Sequence, residues 1–466
     1  MFSHNFQTLD NGLPVLRIPM PGVKSVTVLV LANTGSRYET PKQQGIAHFF
    51  EHMVFKGSQN YPSAQVLATT IDGVGADFNA FTSKEYTGYY VKSASRHVEL
   101  ALDVVSDMLL TPKLRQKDID REKGVIIEEI HMYEDTPQQY VGNLFDRMAF
   151  ASSGLEHDII GSAETVSQIT SADFQGFLKQ WYGLANLLLV VAGDESVVGR
   201  EQILKQIKEA FSKQDEQTAG REKHKIAVRA DLKTNPFDQQ LDQQLSQQQS
   251  QQLSQQLSQQ PDQQLSQQRR FHLETRPTKQ AHFVLGWPGL DRYDDARYAL
   301  SLANIMLGGN MSSRLFTEVR EKRGLAYYIR STTDAYHDTG LFGAFAGVDP
   351  ERINEALEVT INEFKKLLDD KHGKVFTTGE LKRVKEFVTG KMALSYEDPQ
   401  AVAQYYGLKK LLADEIESPD ETLEKLCAVE LDQVQQVMER LIKPGELRLA
   451  LIGPFKDKAQ FKKFLG

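Results

Sequence analysis

The chain has 466 residues, of which 40% are hydrophobic, and this length predicts two or three domains with sizeable cores. Its formal net charge is −8 and no strongly basic patch stands out, so a nucleic-acid partner is not indicated. The single cysteine, Cys427, excludes an internal disulfide framework and a metal site built from several thiolates.

The N-terminus and the apolar stretches carry no targeting or membrane signal. No basic stretch followed by an apolar run opens the chain, so we expect no secretory signal peptide. The longest apolar stretches, 28–32 and 187–192, are far too short to span a bilayer. The sequence therefore favours a cytoplasmic protein without a membrane partner.

One segment differs in composition from the rest of the chain. Residues 238–268 consist of Gln, Leu and Ser with a little Asp and one Pro, in a tandem Gln-Gln-Leu-Ser repeat. Such a tract offers little apolar variety for a packed core, and we expect it to be disordered or marginally helical. We therefore predict a catalytic N-terminal domain over 1–225, a Gln-rich linker or insertion over 226–270, and a related C-terminal domain over 271–466.

The two halves resemble each other in the order of their predicted elements, as expected of an internal repeat. Each opens with a strand, continues through a helix, Thr/Tyr/Phe-rich strands and amphipathic helices, and closes on a strongly apolar strand. The segments of the first half are 14–18, 25–33, the helix near His48, 77–92, 98–110 and 186–193. Those of the second half are 282–287, the helix near Leu300, 326–348, 353–368 and 447–453. Strands mixed with long helices predict two related α+β domains with largely antiparallel sheets.

The strongest chemical signal is the run His-Phe-Phe-Glu-His, which begins at His48 and ends at His52. On a helix, positions i and i+4 share a face, so both imidazoles can reach one ion. Glu51 borders the same face and can hold a water at the metal without binding the metal itself. Two imidazoles and one carboxylate with an open fourth position form a catalytic zinc site. The alternative is a helix with two incidental histidines, the false-positive risk of any short motif.

A third ligand is offered by residues 121–130, which are predicted to form a helix with mixed apolar and acidic faces. Glu122 and Glu129 are seven residues apart, about two turns, and so project from one face, whereas Glu128 points elsewhere. One of the aligned pair is a candidate ligand, and the other is a candidate partner of a ligand. The alternative is an ordinary solvated acidic face.

Together these motifs give the chain a family resemblance. The His-x-x-Glu-His order is that of the inverzincins. With the run Asn-Ala-Phe-Thr at 79–82 and the acidic helix at 122–129, the chain resembles the insulinase, pitrilysin and mitochondrial processing peptidase family. The resemblance continues through 308–316 and 320–327, and so spans nearly the whole chain except the Gln-rich tract.

The resemblance implies a role for each residue of the motif. His48, His52 and Glu129 would be the ligands of one Zn2+ per chain. Glu51 would be the general base of the reaction. Glu122 would support the site from behind the ligands.

Two further sets of residues are implied by the resemblance. Asn79, Ala80 and Phe81 would form the edge strand on which the family lays its substrate, because an extended peptide can pair its backbone with an open sheet edge. Arg320 and Tyr327 match a pair that fixes the substrate and stabilises the oxyanion of the tetrahedral intermediate. The alternatives are an ordinary strand and turn, a surface arginine and a packed tyrosine.

The activity implied is that of a zinc metalloendopeptidase acting on peptides or unstructured protein segments. Chains of this length in the family pair as a clamshell, so we expect a homodimer. The second half has no His-x-x-Glu-His run, which implies one zinc site per chain. The alternatives are a non-catalytic subunit or one that is active only beside a second chain; the intact zinc motif argues against the former.

Overall fold

The structure is a computed structural model that describes residues 2–212, 270–368 and 376–465. The Gln-rich tract at 238–268, with the prediction made for it, lies outside these residues. The described chain divides into two compact units. The first unit comprises 2–132, 157–212 and 391–421, and the second comprises 133–156, 270–368, 376–390 and 422–465. The domain boundaries given from the sequence stay predictions.

The first sheet has six strands among the described residues, and all belong to the first unit. They are β1 (Asn5–Thr8), β2 (Pro14–Met20), β3 (Ser25–Ala32), β4 (Asp77–Thr82), β5 (Thr87–Ala94) and β6 (Leu187–Asp194). Their order is β1-β2-β6-β3-β5-β4, and only β2 and β6 run parallel. In the described sheet β4 is therefore an edge strand with one neighbour, β5.

The first half of the chain contributes the following helices. They are α1 (Ile46–Met53), α2 (Ala64–Asp72), α3 (Val98–Leu110), α4 (Gln116–Glu134), α5 (Pro137–Ala149), α6 (Ala163–Gln168), α7 (Ser171–Trp181), α8 (Glu195–Val198) and α9 (Gln202–Ala210). Of these, α5 belongs to the second unit and the others belong to the first, except for the end of α4. Among the described residues, no helix combines the length and the apolar composition that crossing a membrane requires.

The second sheet repeats the pairing of the first. Its described strands are β7 (Phe271–Thr275), β8 (Ala281–Pro288), β9 (Ala326–Ala335), β10 (Gly340–Val348) and β11 (Arg448–Gly453). Their order is β7-β11-β8-β10-β9, with only β7 and β11 parallel, which matches β2-β6-β3-β5-β4 strand for strand. The predicted fold class, α+β with two related and largely antiparallel sheets, is confirmed.

The remaining helices follow β8 in sequence. They are α10 (Arg297–Asn304), α11 (Ile353–Lys365), α12 (Thr378–Ser395), α13 (Pro399–Ala413), α14 (Pro419–Ala428), α15 (Leu431–Leu441) and α16 (Ala459–Lys462). Two π-helical segments, Ile305–Gly309 and Phe316–Glu321, lie between α10 and β9.

Each sheet is covered on one face by a helix from the other half of the sequence. In the first unit α13 packs through Val402, Ala403 and Tyr406 on the apolar residues of β2, β3 and β6. In the second unit α5 packs through Leu144 and Phe145 on β8 and β11. All eight residues of β6 are buried, since the strand lies between β2 and β3 and α13 packs on it, and its sequence is accordingly an almost continuous apolar run.

Candidate metal centre

Helix α1, which carries the histidine motif, begins at a glycine turn and is capped by a distant carboxylate. Gly45 has a φ of 91° in the left-handed region, and a Cβ there would lie 2.6 Å from the Ile160 carbonyl oxygen. The Glu39 carboxylate, in a residue only 6% exposed, accepts hydrogen bonds from the backbone N–H of Gly45 at 2.7 Å and of Ala47 at 2.8 Å. Two N–H groups that a helix start leaves unpaired are thereby satisfied.

The sequence of α1 separates an apolar face from a polar one. Its apolar residues are buried: Ile46, Ala47, Phe49, Phe50 and Met53. His48, Glu51 and His52 are left half-buried, on the side that faces α4. The polar side chains of the motif can therefore be reached from solvent while their helix is fixed by packing.

His48, His52 and Glu129 form a cluster whose ligand atoms all lie within 4.8 Å of one another. Glu129 Oε1 is 3.8 Å from His48 Nε2, and Glu129 Oε2 is 3.5 Å from His52 Nε2. No other group of three such residues occurs in the described part of the chain. Two imidazole nitrogens and a carboxylate oxygen are the donor set of a catalytic zinc site, so these residues fit a zinc ion.

Glu122 lies behind His52 and fixes the direction in which its ring points. This glutamate is 3% exposed, and its Oε1 is 2.9 Å from His52 Nδ1, while its Oε2 is 2.7 Å from Lys56 Nζ. Metal-ligating histidines usually donate their second N–H to a carboxylate in this way, which leaves the other nitrogen free to bind the ion. His52 Nε2 accordingly faces Glu129. His48 Nδ1 is buried and has no hydrogen-bond partner among the described residues.

The charges of the cluster depend strongly on one another. Burial opposes protonation of His52, but its hydrogen bonds to Glu122 and Glu129 outweigh burial and raise its pKa to about 9. Burial, followed by the charge of His52, lowers the pKa of His48 to about 4. The hydrogen bond from His52 holds the pKa of Glu129 below its usual value. The charged form of His52 is therefore favoured between the carboxylates of Glu122 and Glu129, and a divalent cation would replace the proton on its Nε2.

Glu51 is the carboxylate of the motif that stands apart from the cluster. Burial raises its pKa above the usual value, and a hydrogen bond from Thr82 partly opposes that rise. The Thr82 hydroxyl donates to Glu51 Oε2 at 2.6 Å. A raised pKa makes this carboxylate a better proton acceptor than an exposed one, as a general base beside a metal site requires.

The segment predicted to bind substrate is strand β4, at the edge of the described sheet. Ala80 is buried, Asn79 is exposed, and Asn79 Oδ1 accepts a hydrogen bond from the backbone N–H of Ala80 at 2.9 Å. Phe81 packs across the strand pair on Gly88, where an added Cβ would come within 2.2 Å of its ring. Its ring belongs to the face that α13 covers.

Arg320 and Tyr327 belong to the second unit. The Arg320 guanidinium lies 4.8 Å from the centroid of the Phe316 ring, within the π-helical segment. Tyr327, on β9, is 58% exposed. The substrate role inferred for this pair stays a prediction.

Three residues without a predicted role contact Glu122, Glu51 or the start of α1. Lys56 stands four residues after His52, so helical spacing was a usable signal for it. Thr82 was part of a recognised run but was given no role, because a strand pattern does not show which helix its hydroxyl meets. Glu39 carries no signal, since it reaches the start of α1 across a loop.

The sequence of the chain is similar to those of proteins named as zinc proteases. Residues 15–163 match the family described as insulinase (peptidase family M16), and 168–388 match the domain described as peptidase M16 inactive domain. An uncharacterized zinc protease of Streptomyces coelicolor is 35% identical over 97% of this chain and 90% of its own length. The uncharacterized zinc protease YmxG of Bacillus subtilis is 31% identical over 96% and 97%.

Solved structures agree on the fold. A protease from Helicobacter pylori superposes with a TM-score of 0.79 at 20% identity, over 97% of this chain and 100% of that one. A peptidase M16 inactive domain from Pseudomonas fluorescens gives 0.80 at 18% identity, over 97% and 98%. The chain belongs to the insulinase family, peptidase family M16, and its cofactor is zinc.

Proposed function

We propose that this chain is a zinc metalloendopeptidase that hydrolyses peptides or unstructured protein segments. The observation that carries the proposal is the convergence of His48, His52 and Glu129 beside the carboxylate of Glu51. Zinc, when bound, supplies the acidity that ionises a water near neutral pH and polarises a carbonyl group. Its ligands would be His48 Nε2, His52 Nε2 and a carboxylate oxygen of Glu129.

The side chains around the cluster transfer the proton and orient the ligands. Glu51 accepts the proton of the attacking water and passes it to the leaving amine nitrogen. Glu122 keeps the proton of His52 on Nδ1, so that the Nε2 lone pair stays directed at the metal. Lys56, paired with Glu122, keeps that carboxylate ionised: burial of Glu122 opposes ionisation, but its hydrogen bonds to His52 and Lys56 lower its pKa.

In the described sheet, strand β4 has an open edge on which an extended substrate could bind. A peptide laid on its open edge would take over the N–H of Ala80, which Asn79 Oδ1 occupies in this structure. Such pairing reads backbone more than side chains, and an unstructured segment is suited to it because its backbone groups are not yet paired within the protein. On the family resemblance, Arg320 and Tyr327 would clamp the substrate, and the working form would be a homodimer.

The second candidate is a non-catalytic subunit or one that depends on a partner. The match of 168–388 to a domain described as inactive favours a second half without chemistry of its own. Catalysis by the chain as a whole is favoured by the first half, because it retains a complete donor set together with Glu51 and Glu122.

The proposal is tested with a mixed set of quenched-fluorescence peptides and with Glu51→Gln. We expect turnover by the parent, and a zinc-loaded Glu51→Gln without turnover. Glu128→Gln is the control, because Glu128 also lies on α4 but its side chain is 82% exposed. A zinc-loaded parent without turnover on any peptide, alone or in dimeric form, would favour the partner-dependent subunit.

A further inference from the structure

The hydrogen bond between Thr82 and Glu51 joins the edge strand to the base of the zinc motif. Thr82 is the last residue of β4, and Glu51 lies 31 positions earlier in the chain. The distance of 2.6 Å between Thr82 Oγ1 and Glu51 Oε2 is typical of a hydroxyl that donates to a carboxylate. Among the described residues this is the one hydrogen bond that the Glu51 carboxylate accepts.

Without this bond, no hydrogen bond within the described residues would hold the Glu51 carboxylate in one orientation. A glutamate side chain has three rotatable bonds, and the carboxylate of Glu51 is held by neither histidine of its own helix. With Oε2 engaged by Thr82, the second oxygen, Oε1, is left to accept a proton. A general base is effective only within hydrogen-bond reach of the proton that it removes.

Thr82 leads into a turn that several backbone hydrogen bonds hold in place. Thr82 pairs with Thr87 on β5, and the N–H of Ser83 donates to the Tyr86 carbonyl at 2.8 Å. The turn is also bound to the loop that leads into α1. The N–H of Ser36 donates to the Ser83 carbonyl at 3.2 Å.

A buried ion pair reinforces that attachment. Arg37 Nη1 is 2.7 Å from Glu85 Oε1, and both side chains are almost fully buried. The backbone N–H of Arg37 donates to the Lys84 carbonyl at 2.8 Å. The turn after β4 and the loop before α1 therefore form one frame, which fixes Thr82 relative to Glu51.

We propose that Thr82 is a positioning residue for the general base. Its hydroxyl, at the end of β4, holds the carboxylate of Glu51 in place. The proposal rests on the proposed peptidase function. A peptide paired with β4 and the base that takes the proton of the attacking water would then be positioned by the same strand, so the reacting carbonyl and Glu51 would keep a fixed distance.

The test compares Thr82→Val, which removes the hydroxyl and keeps the shape, with Thr82→Ser, which restores it. For Thr82→Val we expect kcat to fall by about ten- to a hundredfold, part of the usual contribution of a general base. KM, bound zinc and the midpoint of chelator competition should stay within about twofold of the parent, and Thr82→Ser should recover most of kcat. Thr70→Val on α2 is the control, because the Thr70 hydroxyl only bonds to the Val66 carbonyl of its own helix.

Three outcomes would overturn the proposal: parental kcat in Thr82→Val, a loss confined to KM, or a Thr82→Ser as slow as Thr82→Val. A zinc-loaded parent without turnover would count against the proposed function instead. Crystal structures of the zinc-loaded parent and Thr82→Val then decide on Thr82 independently. We expect the Glu51 carboxylate to leave its position in the variant, and an unmoved carboxylate would contradict the inference.

Discussion

At the residue scale, the cluster depends on a buried carboxylate that does not face the metal position. Glu122 contacts His52 on one oxygen and Lys56 on the other. The seven-residue spacing places Glu122 and Glu129 on one helical face, but spacing alone does not tell which of them lies nearer the imidazoles. In the structure Glu129 faces the Nε2 atoms of both histidines, while Glu122 faces Nδ1 of His52.

We predict that Glu122→Gln weakens zinc binding by about ten- to a hundredfold, the usual effect of losing the partner of a histidine ligand. The amide can still accept from Nδ1, but it brings no charge and leaves Lys56 without its partner. Affinity is measured by competition with a chelator. Glu128→Gln, also on α4, should bind zinc as the parent does, and equal affinity in both variants would refute the prediction.

The proton of His52 should make the stability of the metal-free protein depend on pH. The pKa of His52 is raised to about 9 in the folded protein, so the folded state binds more protons than the unfolded state between pH 6.5 and 9. The stabilising contribution is therefore complete below pH 6.5 and is lost as the pH rises through 9.

Urea midpoints of the metal-free protein should accordingly fall across this window, and more steeply for the parent than for His52→Gln. With zinc bound, Nε2 has no proton to lose, and this part of the pH dependence should vanish. An identical pH dependence in parent and variant would show that His52 does not hold the proton.

At the scale of elements, the periodicity of the sequence predicts where helices and strands lie, but it does not predict which elements pack against one another. The predicted strand block 77–92 is divided into β4 and β5 by the turn at 83–86, which follows Thr82 and carries Glu85, the partner of the buried Arg37. Amphipathic patterns show that one face of a helix is buried, but not what it packs against. For that reason the packing of α5 and α13 on sheets from the opposite halves could not be predicted.

The helix predicted near Leu300 also differs from a regular one. It ends at Asn304 and continues as the π-helical segment Ile305–Gly309. Gly308 there approaches β9 so closely that a Cβ would lie 2.3 Å from the Ser331 nitrogen. A pattern of apolar positions does not reveal such a close approach, although the pair of glycines at 308–309 marks the place.

The start of helix α1 depends on the carboxylate of Glu39, which accepts two backbone hydrogen bonds there. Glu39→Ala leaves two buried N–H groups at the start of the zinc helix unpaired, which should cost about 1–3 kcal/mol of stability. Zinc affinity should fall as well, because His48 lies in the first turn of α1. Chemical denaturation and chelator competition measure the two effects.

Ser63→Ala is the matched control, since Ser63 caps the N-terminus of α2 by accepting from the Val66 N–H. Loss of that exposed cap should cost about 1 kcal/mol and leave zinc affinity unchanged. The prediction fails if Glu39→Ala binds zinc as tightly as the parent does.

At the scale of the whole molecule, the two sheets share one pairing order, but only the first unit carries the histidine motif. The sequence predicted this repeat from the order of its elements, because each half closes on an apolar strand that pairs in the centre of its sheet. The homodimer is expected from the family resemblance and not from any pattern in the residues, and it stays a prediction.

The Gln-rich tract at 238–268 offers little apolar variety, so we do not expect it to support the site. A chain without these residues should retain its zinc content and its peptidase turnover to within about twofold. Turnover is compared at equal zinc occupancy. Loss of turnover or of folding in the shortened chain would assign the tract a structural role.

The most direct test of the account is turnover as a function of zinc. The protein is stripped with a chelator, zinc is added back stepwise, and peptide cleavage is followed for the parent and for Glu51→Gln. We predict no cleavage without metal, a rise that levels off at one zinc per chain for the parent, and zinc binding without cleavage for Glu51→Gln. Cleavage by the stripped protein, or equal cleavage by Glu51→Gln, would contradict a zinc peptidase in which Glu51 is the base.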